Sequence, residues 1–265
     1  MRILVLGSGT LRPSPSRGSP AYWIEEGPLK ILLDCGAGTL RSLARFGLPW
    51  EETTHVLLSH FHTDHVGALA PFLFALKHGV EEGRTLPLEV LAPPGLREHL
   101  GHLSRAHGSY VLEPGFPLEV SELVPGEGRS LASLELSSRA TRHTESSLAF
   151  RLQGPGGAFG YTGDTGPDPE LGAFLHGCRV LVAECSHPDG QGMENHLTPS
   201  SLSELAGVAD PELLVTVHAY PPLDPASVPH LLAGAGYTGA ALPGEDGLAL
   251  ELGDELSVAR LRSQV

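Results

Sequence analysis

Ser59-His60-Phe61-His62-Thr63-Asp64-His65 puts four candidate metal ligands within six residues, in the order H-x-H-x-D-H. The apolar run just before it, His55 to Ser59, reads as a buried strand. The run after it, Val66 to Leu76, reads as a mostly apolar helix despite Pro71. The four ligands are therefore expected on the turn where a strand hands over to a helix, a position that commonly carries function. Extended backbone through His60 and His62 would point both imidazoles the same way, because side chains repeat every two residues in a strand. Asp64 and His65, at the helix entrance, can then face a second point, so one motif can serve two metals.

Three more candidates sit in the same kind of place, at or just beyond a strand end. His143 falls between two strands. Asp164 lies in Tyr161-Thr162-Gly163-Asp164-Thr165-Gly166, where glycines let the backbone bring a carboxylate in close. His218 follows the strand Leu213 to Val217. Together they make five imidazoles and two carboxylates, a donor set suited to two borderline divalent ions, Zn²⁺ first, with Mn²⁺ or Fe as substitutes. Asp34 ends another buried strand and needs a partner there. It reads either as an acceptor orienting a ligating histidine or as a cap of the following helix.

The rest of the chain reads as alternating strands and helices. Strands are expected at Ile3 to Leu6, Ala21 to Glu25, Leu29 to Asp34, Leu88 to Leu91, Leu131 to Arg139, Ser147 to Leu152, Ala158 to Thr162 and Val180 to Glu184, with a final strand pair. Helices are expected after Thr39, over about Pro94 to His107, over Asp168 to His176, from Thr198-Pro199, and after Asp224-Pro225. Gly7-Ser8-Gly9-Thr10 lacks the third glycine and following helix of a dinucleotide site. The loop to Pro20 is expected to lie over an active site instead. His78, His99, His102 and His107 read as surface histidines. No repeat, linker or composition break divides the 265 residues, so 1–265 is expected to be one domain.

Charge and cysteine usage narrow the function classes. A formal charge of −14 argues against a broad nucleic-acid surface, although bound divalent ions would reverse the field within a pocket. Cys35, Cys178 and Cys185 are scattered and odd in number, as expected of reduced thiols in a cytoplasmic protein rather than a disulfide framework. No run reaches the ~20 apolar residues of a membrane span, and the first residues enter a strand without a signal-peptide pattern.

Taken in order, Gly7-Ser8-Gly9-Thr10, Asp34-Cys35-Gly36, the His60 to His65 motif, His143, Asp164 and His218 resemble the metallo-β-lactamase superfamily over nearly the whole chain. The resemblance implies a four-layer αββα sandwich, two mixed β-sheets flanked by helices, with metals at one edge of the sheets. It implies that His60, His62 and His143 hold a first ion, that Asp64, His65 and His218 hold a second, and that Asp164 bridges both. Within the superfamily the likeness is to the ribonuclease Z and phosphodiesterase branch. Val182-Ala183-Glu184-Cys185-Ser186 resembles that branch's H-E-A-T element, with Ala183 in place of its His, and Asn195-His196-Leu197-Thr198 resembles its H-S-T element. Glu184 and His196 thereby inherit the roles of a hydrogen-bonded pair that helps the leaving group depart. Their alternative is a capping interaction near Thr198.

Ribonuclease Z carries a long tRNA-gripping arm between its third His and its bridging Asp. Here those positions, His143 and Asp164, are too close for one. With the acidic balance, this disfavours a tRNA-sized partner and favours a small-molecule or nucleotide-like substrate. The leading expectation is a dinuclear phosphodiesterase with a metal-bridging hydroxide as nucleophile. In that scheme Asp64 aims the water, and His196, supported by Glu184, protonates the leaving oxygen. A carboxyl-ester hydrolase of the lactonase or glyoxalase II kind is the alternative, and a metal-loaded binding or accessory protein without turnover is a third. A true β-lactamase is disfavoured, since those enzymes usually place Cys where Asp164 stands. A homodimer is left open.

Overall fold

The computed structural model describes residues 1–262. In β1 (Arg2–Gly7), Ile3 and Val5 enter one apolar cluster while Leu4 and Leu6 enter another. A strand buried alternately on both faces has to lie between two layers. The same pattern recurs through the chain and dictates four layers.

The first half continues with β2 (Ala21–Glu26), β3 (Leu29–Leu33), α1 (Thr39–Arg45), β4 (His55–Leu57), α2 (Thr63–Val66), α3 (Leu69–His78), β5 (Leu88–Ala92), α4 (Leu96–His107) and β6 (Leu118–Glu122). The second half comprises β7 (Gly128–Leu131), β8 (Leu134–Ala140), β9 (Leu148–Gly154), β10 (Gly157–Tyr161), α5 (Pro169–Phe174), β11 (Val180–Glu184), α6 (Pro199–Ala209), β12 (Leu213–Val217), α7 (Val228–Gly234), β13 (Ala241–Pro243), β14 (Leu248–Leu252) and β15 (Leu256–Arg260). An eight-stranded sheet has the order β15-β14-β1-β2-β3-β4-β5-β6, and a seven-stranded sheet the order β13-β12-β11-β10-β9-β8-β7. Each is mixed, with one parallel and one antiparallel stretch.

Between the sheets lies a cluster that includes Tyr22, Ile31, Leu136, Phe150, Tyr161, Val182 and Val215. The outer face of the first sheet is covered by Leu43, Phe72, Leu76 and Leu96 from α1, α3 and α4. That of the second is covered by Leu171, Leu202, Leu205 and Leu232 from α5, α6 and α7. Each fully buried Leu or Phe contributes about 1.5–3 kcal/mol relative to exposure. The expected αββα sandwich is therefore the observed architecture. No helix among the described residues is long and apolar enough to cross a membrane.

Three local expectations are corrected. The helix read over Val66 to Leu76 is two helices, because the Ala68 N–H leaves the helical ladder to donate to Cys35 O at 2.9 Å. Pro71 then falls in the first turn of α3, where a missing N–H costs nothing. The strand read over Leu131 to Arg139 is a hairpin, β7–β8, turning at Ala132 with φ 48°. The exposed, charged β6 was not anticipated, because Glu119 and Glu122 break the apolar pattern of an edge strand.

Candidate metal centre

The site forms where strands running in one direction end. β3 delivers Asp34, β4 the segment Ser59 to His65, β8 leads to His143, β10 to Asp164, β11 ends on Glu184 and β12 is followed by His218. Loops beyond the carboxyl ends of parallel strands are where open α/β sheets bind ligands. Backbone conformation sharpens the aim. His218 adopts φ 62° and its N–H donates to Ser8 O at 3.1 Å, which ties the start of the loop after β1 to the cluster. Gly163 has φ 57°, a conformation that L side chains rarely adopt, immediately before Asp164.

All nine residues singled out in the sequence converge. Three overlapping groups could hold a metal: His60, His62, His143 and Asp164; Asp64, His65 and His218; and Asp164, His196 and His218. Within each group the ligand atoms lie within 4.8 Å of one another. Asp164 sits at the centre. Its Oδ2 is 3.6 Å from His143 Nε2, 3.6 Å from His218 Nε2 and 3.9 Å from His60 Nε2, and its Oδ1 is 3.4 Å from His65 Nε2. His218 Nε2 also lies 3.4 Å from Asp64 Oδ2. These separations exceed ordinary hydrogen bonds and approach the about 3.3–3.4 Å edge of a tetrahedron with zinc–nitrogen and zinc–oxygen bonds.

The fit to a metal is tested by two orphans. His60 Nε2 and His65 Nε2 are buried with no hydrogen-bond partner. A buried polar nitrogen left unpaired costs about 1–3 kcal/mol, and both point into the cluster. Their opposite nitrogens are well tied. His65 Nδ1 donates to Asp34 Oδ2 at 2.7 Å, and His60 Nδ1 lies 3.1 Å from Ser59 Oγ. His143 Nδ1 meets Asn195 O at 3.0 Å, and His218 Nδ1 meets Ser186 Oγ at 3.0 Å. His60 and His65, held at one nitrogen and bare at the other, have the usual arrangement of metal-ligating histidines, whereas His143 Nε2 meets His62 Nδ1 at 2.9 Å. The donor set and the orphan pair thus fit divalent ions.

A family model, described as the beta-lactamase superfamily domain, matches residues 30–219. The chain belongs to this superfamily. Among its relatives is a protein named ribonuclease Z from Mycobacterium marinum, 28% identical over 193 residues, which cover 69% of each chain. Similar solved structures include the metallo-beta-lactamase fold protein YhfI of Bacillus subtilis, with 21% identity and a TM-score of 0.80 over 94% of this chain and 99% of that one. Another is the short form of human tRNase Z, with 21% identity and a TM-score of 0.76 over 96% of this chain and all of that one.

The electrostatics of the cluster follow from burial and charge pairing. Burial holds His60 well below the usual histidine value and lowers His143. At His65 burial acts in the same direction, but Asp164 and Asp34 outweigh it and hold the imidazole well above its usual value. Burial opposes ionisation of Asp164 too, yet His218 and His65 keep its carboxyl well below the carboxylate range.

Asp34, fully buried, takes the orienting role considered in the sequence. Besides His65 it accepts from the Ser59 N–H at 2.8 Å, the Ser59 hydroxyl at 2.9 Å and the Tyr161 hydroxyl at 2.7 Å. Glu184 is the equivalent anchor on the second sheet. Its Oε1 accepts from His196 Nδ1 at 2.9 Å and the Thr165 N–H at 2.8 Å, and its Oε2 from the Ser186 hydroxyl and the Leu197 N–H at 3.2 Å. Thr198 caps α6 through Ser201, not through Glu184.

Sequence reasoning missed several residues. Ser186 links Glu184 to His218. His187 stacks on Tyr220 with ring centroids 5.4 Å apart, and Tyr220 stands edge-on to His218 at 5.4 Å. Burial, with Asp64 and Asp164, pushes the Tyr220 hydroxyl up to about 12. The position of Tyr220, two residues beyond His218, is its only sequence signal. His99 is not an ordinary surface residue, because it stacks on Phe61 of the ligand motif at 4.9 Å. Cys185 is a buried thiol whose pKa burial raises, in keeping with a packing role.

Proposed function

We propose that this chain is a dinuclear metal-dependent phosphodiesterase acting on small, nucleotide-like diesters. In this reading His60, His62 and His143 would hold one ion and Asp64, His65 and His218 the other, with Asp164 available to both. Zn²⁺ is the first expectation, with Mn²⁺ or Fe as substitutes. The ions would supply Lewis acidity toward a phosphoryl oxygen and a lowered pKa for attacking water. Asp64 accepts a hydrogen bond from that water and aims it, while His196 protonates the leaving oxygen.

The observation that carries the reading is the Glu184–His196 pair. It stands outside the seven-ligand set, yet the His196 ring lies 4.8 Å from that of His143 and stacks on that of His218 at 5.8 Å. Protonating a leaving oxygen is the service a diester with a poor leaving group needs. The preference for small substrates is supported by the connection from His143 to Asp164. It is the tight β9–β10 hairpin, with no room for an arm.

The test is metal content by plasma emission, then assays with bis-p-nitrophenyl phosphate, a precursor tRNA and a lactone panel, on the purified protein and on His62→Ala and His196→Ala. Two ions per chain and diester turnover, lost in His62→Ala and slowed in His196→Ala, are expected. Lactone turnover indifferent to His196 would favour carboxyl-ester hydrolysis. Efficient cleavage of precursor tRNA would overturn the small-substrate preference.

A further inference from the structure

Beside the cluster a hollow of about 330 Å³ opens between the loop Thr10 to Ser19 and α1. Four arginines line it, Arg12, Arg17, Arg41 and Arg45, against a single carboxylate, Asp246. That carboxylate is spent inside the wall. Its Oδ1 accepts from the Ser8 N–H and the Ser8 hydroxyl, both at 2.9 Å, and its Oδ2 from the Gly18 N–H at 2.8 Å. Arg17 also turns inward, donating to Ser8 Oγ at 2.9 Å and to the Gly244 carbonyl. Arg12, Arg41 and Arg45 are exposed and, among the described residues, have neither an ion-pair partner nor a side-chain hydrogen bond. Arg45 merely rests over the Phe46 ring at 5.1 Å.

On a chain of net charge −14, such arginines need a reason. Elsewhere Arg2, Arg139, Arg179 and Arg260 pair with Glu25, Glu170, Glu212 and Glu245, and the exposed Arg97, Arg105 and Arg142, which have no such partner among the described residues, line no common hollow with one another. Here three stand free around one concavity, where like charges repel unless an anion joins them. The walls of the hollow are also walls of the metal centre. The loop that carries Thr10 begins with Ser8, whose carbonyl accepts the His218 N–H. The stretch that carries Ala37 and Gly38 begins with Gly36, packed so closely on Asp64 that a Cβ there would overlap the Asp64 carbonyl. The hollow and the cluster are therefore connected through the Ser8–His218 and Gly36–Asp64 contacts.

We propose that this hollow binds a second phosphate of the substrate, a phosphomonoester carried beyond the scissile diester. The proposal rests on the phosphodiesterase reading above. Guanidinium forks match phosphate oxygens two by two. Three unpaired forks suit a doubly charged monoester better than a singly charged diester. The substrate class is then a short phosphorylated diester, of which a 5′-phosphorylated dinucleotide is the simplest example.

The test compares the dinucleotides pApA and ApA on the wild-type chain, on Arg12→Ala/Arg41→Ala/Arg45→Ala and on the matching triple lysine variant. In the wild type, kcat/KM for pApA should exceed that for ApA by about tenfold or more, mostly through KM, as charge-assisted hydrogen bonds of ordinary strength require. The ratio should fall to near one in the alanine variant and recover in part in the lysine variant. A ratio is insensitive to general damage from the substitutions. Calorimetry with inorganic pyrophosphate on chelator-treated protein at low ionic strength tests the site apart from turnover. Binding that weakens about tenfold or more in the alanine variant supports it. No preference for pApA in the wild type, a preference that survives in the alanine variant, or pyrophosphate binding that is absent or equal in both proteins overturns it. If neither dinucleotide is cleaved, the phosphodiesterase reading fails and the calorimetric comparison alone decides the site.

Discussion

Glu184 holds His196 by a 2.9 Å hydrogen bond from Nδ1 to Oε1, while three other donors fix the Glu184 carboxylate in place. Burial disfavours a charged His196, but Glu184 outweighs it and raises the imidazole above its usual value. A raised pKa keeps a general acid protonated to higher pH. Glu184→Gln is therefore predicted to move the basic limb of the pH–rate profile to lower pH. It should also cut kcat by about tenfold to a hundredfold, within the range of general-acid contributions. Rates with a phenyl or alkyl diester across neutral and alkaline pH check this. A limb that stays put in Glu184→Gln would assign Glu184 to structure alone.

His196→Ala should show its cost selectively. A p-nitrophenolate departs without help, whereas an alkoxide needs a proton as it leaves. The variant is expected to lose about 10²–10⁴ in kcat on diesters with alkyl leaving groups and much less on bis-p-nitrophenyl phosphate. A plot of log kcat against leaving-group pKa should steepen. Equal losses across the series would mean that His196 does not donate the proton.

The ligands were legible because chemistry and topology coincide. His60, Asp164 and His218 each lie within a few residues of a strand end, and His62, Asp64 and His65 follow His60 into the next helix, so apolar runs in the sequence place them on one edge. Asp34 was half legible. Burial demanded a partner for it, but only the parallel pairing of β3 with β4 brings it to Ser59 and His65. Ser186 was not legible in its linking role, because that depends on His218, 32 positions away. The arginine hollow was invisible for the same reason, since Arg12 and Arg41 meet only after β2 and β3 fold back. The break between α2 and α3 turns on one backbone bond, Ala68 N–H to Cys35 O, which no local pattern encodes.

Asp34 belongs to none of the three ligand groups, yet it holds His65 Nδ1. Asp34→Asn puts a donor either at Oδ2, opposite His65 Nδ1 and the Tyr161 hydroxyl, or at Oδ1, opposite the Ser59 N–H. Loss of such an orienting contact typically lowers metal affinity about 10–100-fold. Competition titration against a chromophoric chelator should show that loss. The milder Tyr161→Phe, which removes only the 2.7 Å hydroxyl contact, should fall between the wild type and Asp34→Asn. Unchanged affinity in Asp34→Asn would remove Asp34 from any role at the metal.

Metal loading itself should depend on pH unequally at the two ligand groups. In the metal-free protein His65 is held well above its usual value by Asp164 and Asp34, against the effect of burial. Its charged form therefore stabilises the fold fully below the ordinary histidine pKa, and that contribution fades as pH rises through the raised value. An ion at Asp64, His65 and His218 must expel this proton from Nε2, so its affinity should rise with pH until His65 deprotonates unaided. Burial lowers His60 and His143 instead, which keeps both imidazoles uncharged at neutral pH. Binding of an ion through His60 and His143 should therefore depend little on pH near neutrality and weaken only on the acid side. Calorimetric titration of chelator-treated protein in buffers of different ionisation enthalpy reads the protons released. One ion bound without proton release, and a second whose binding releases a proton and weakens as pH falls, is the expected result. Two ions with the same pH dependence would mean that the asymmetry between His65 and His60 does not govern loading.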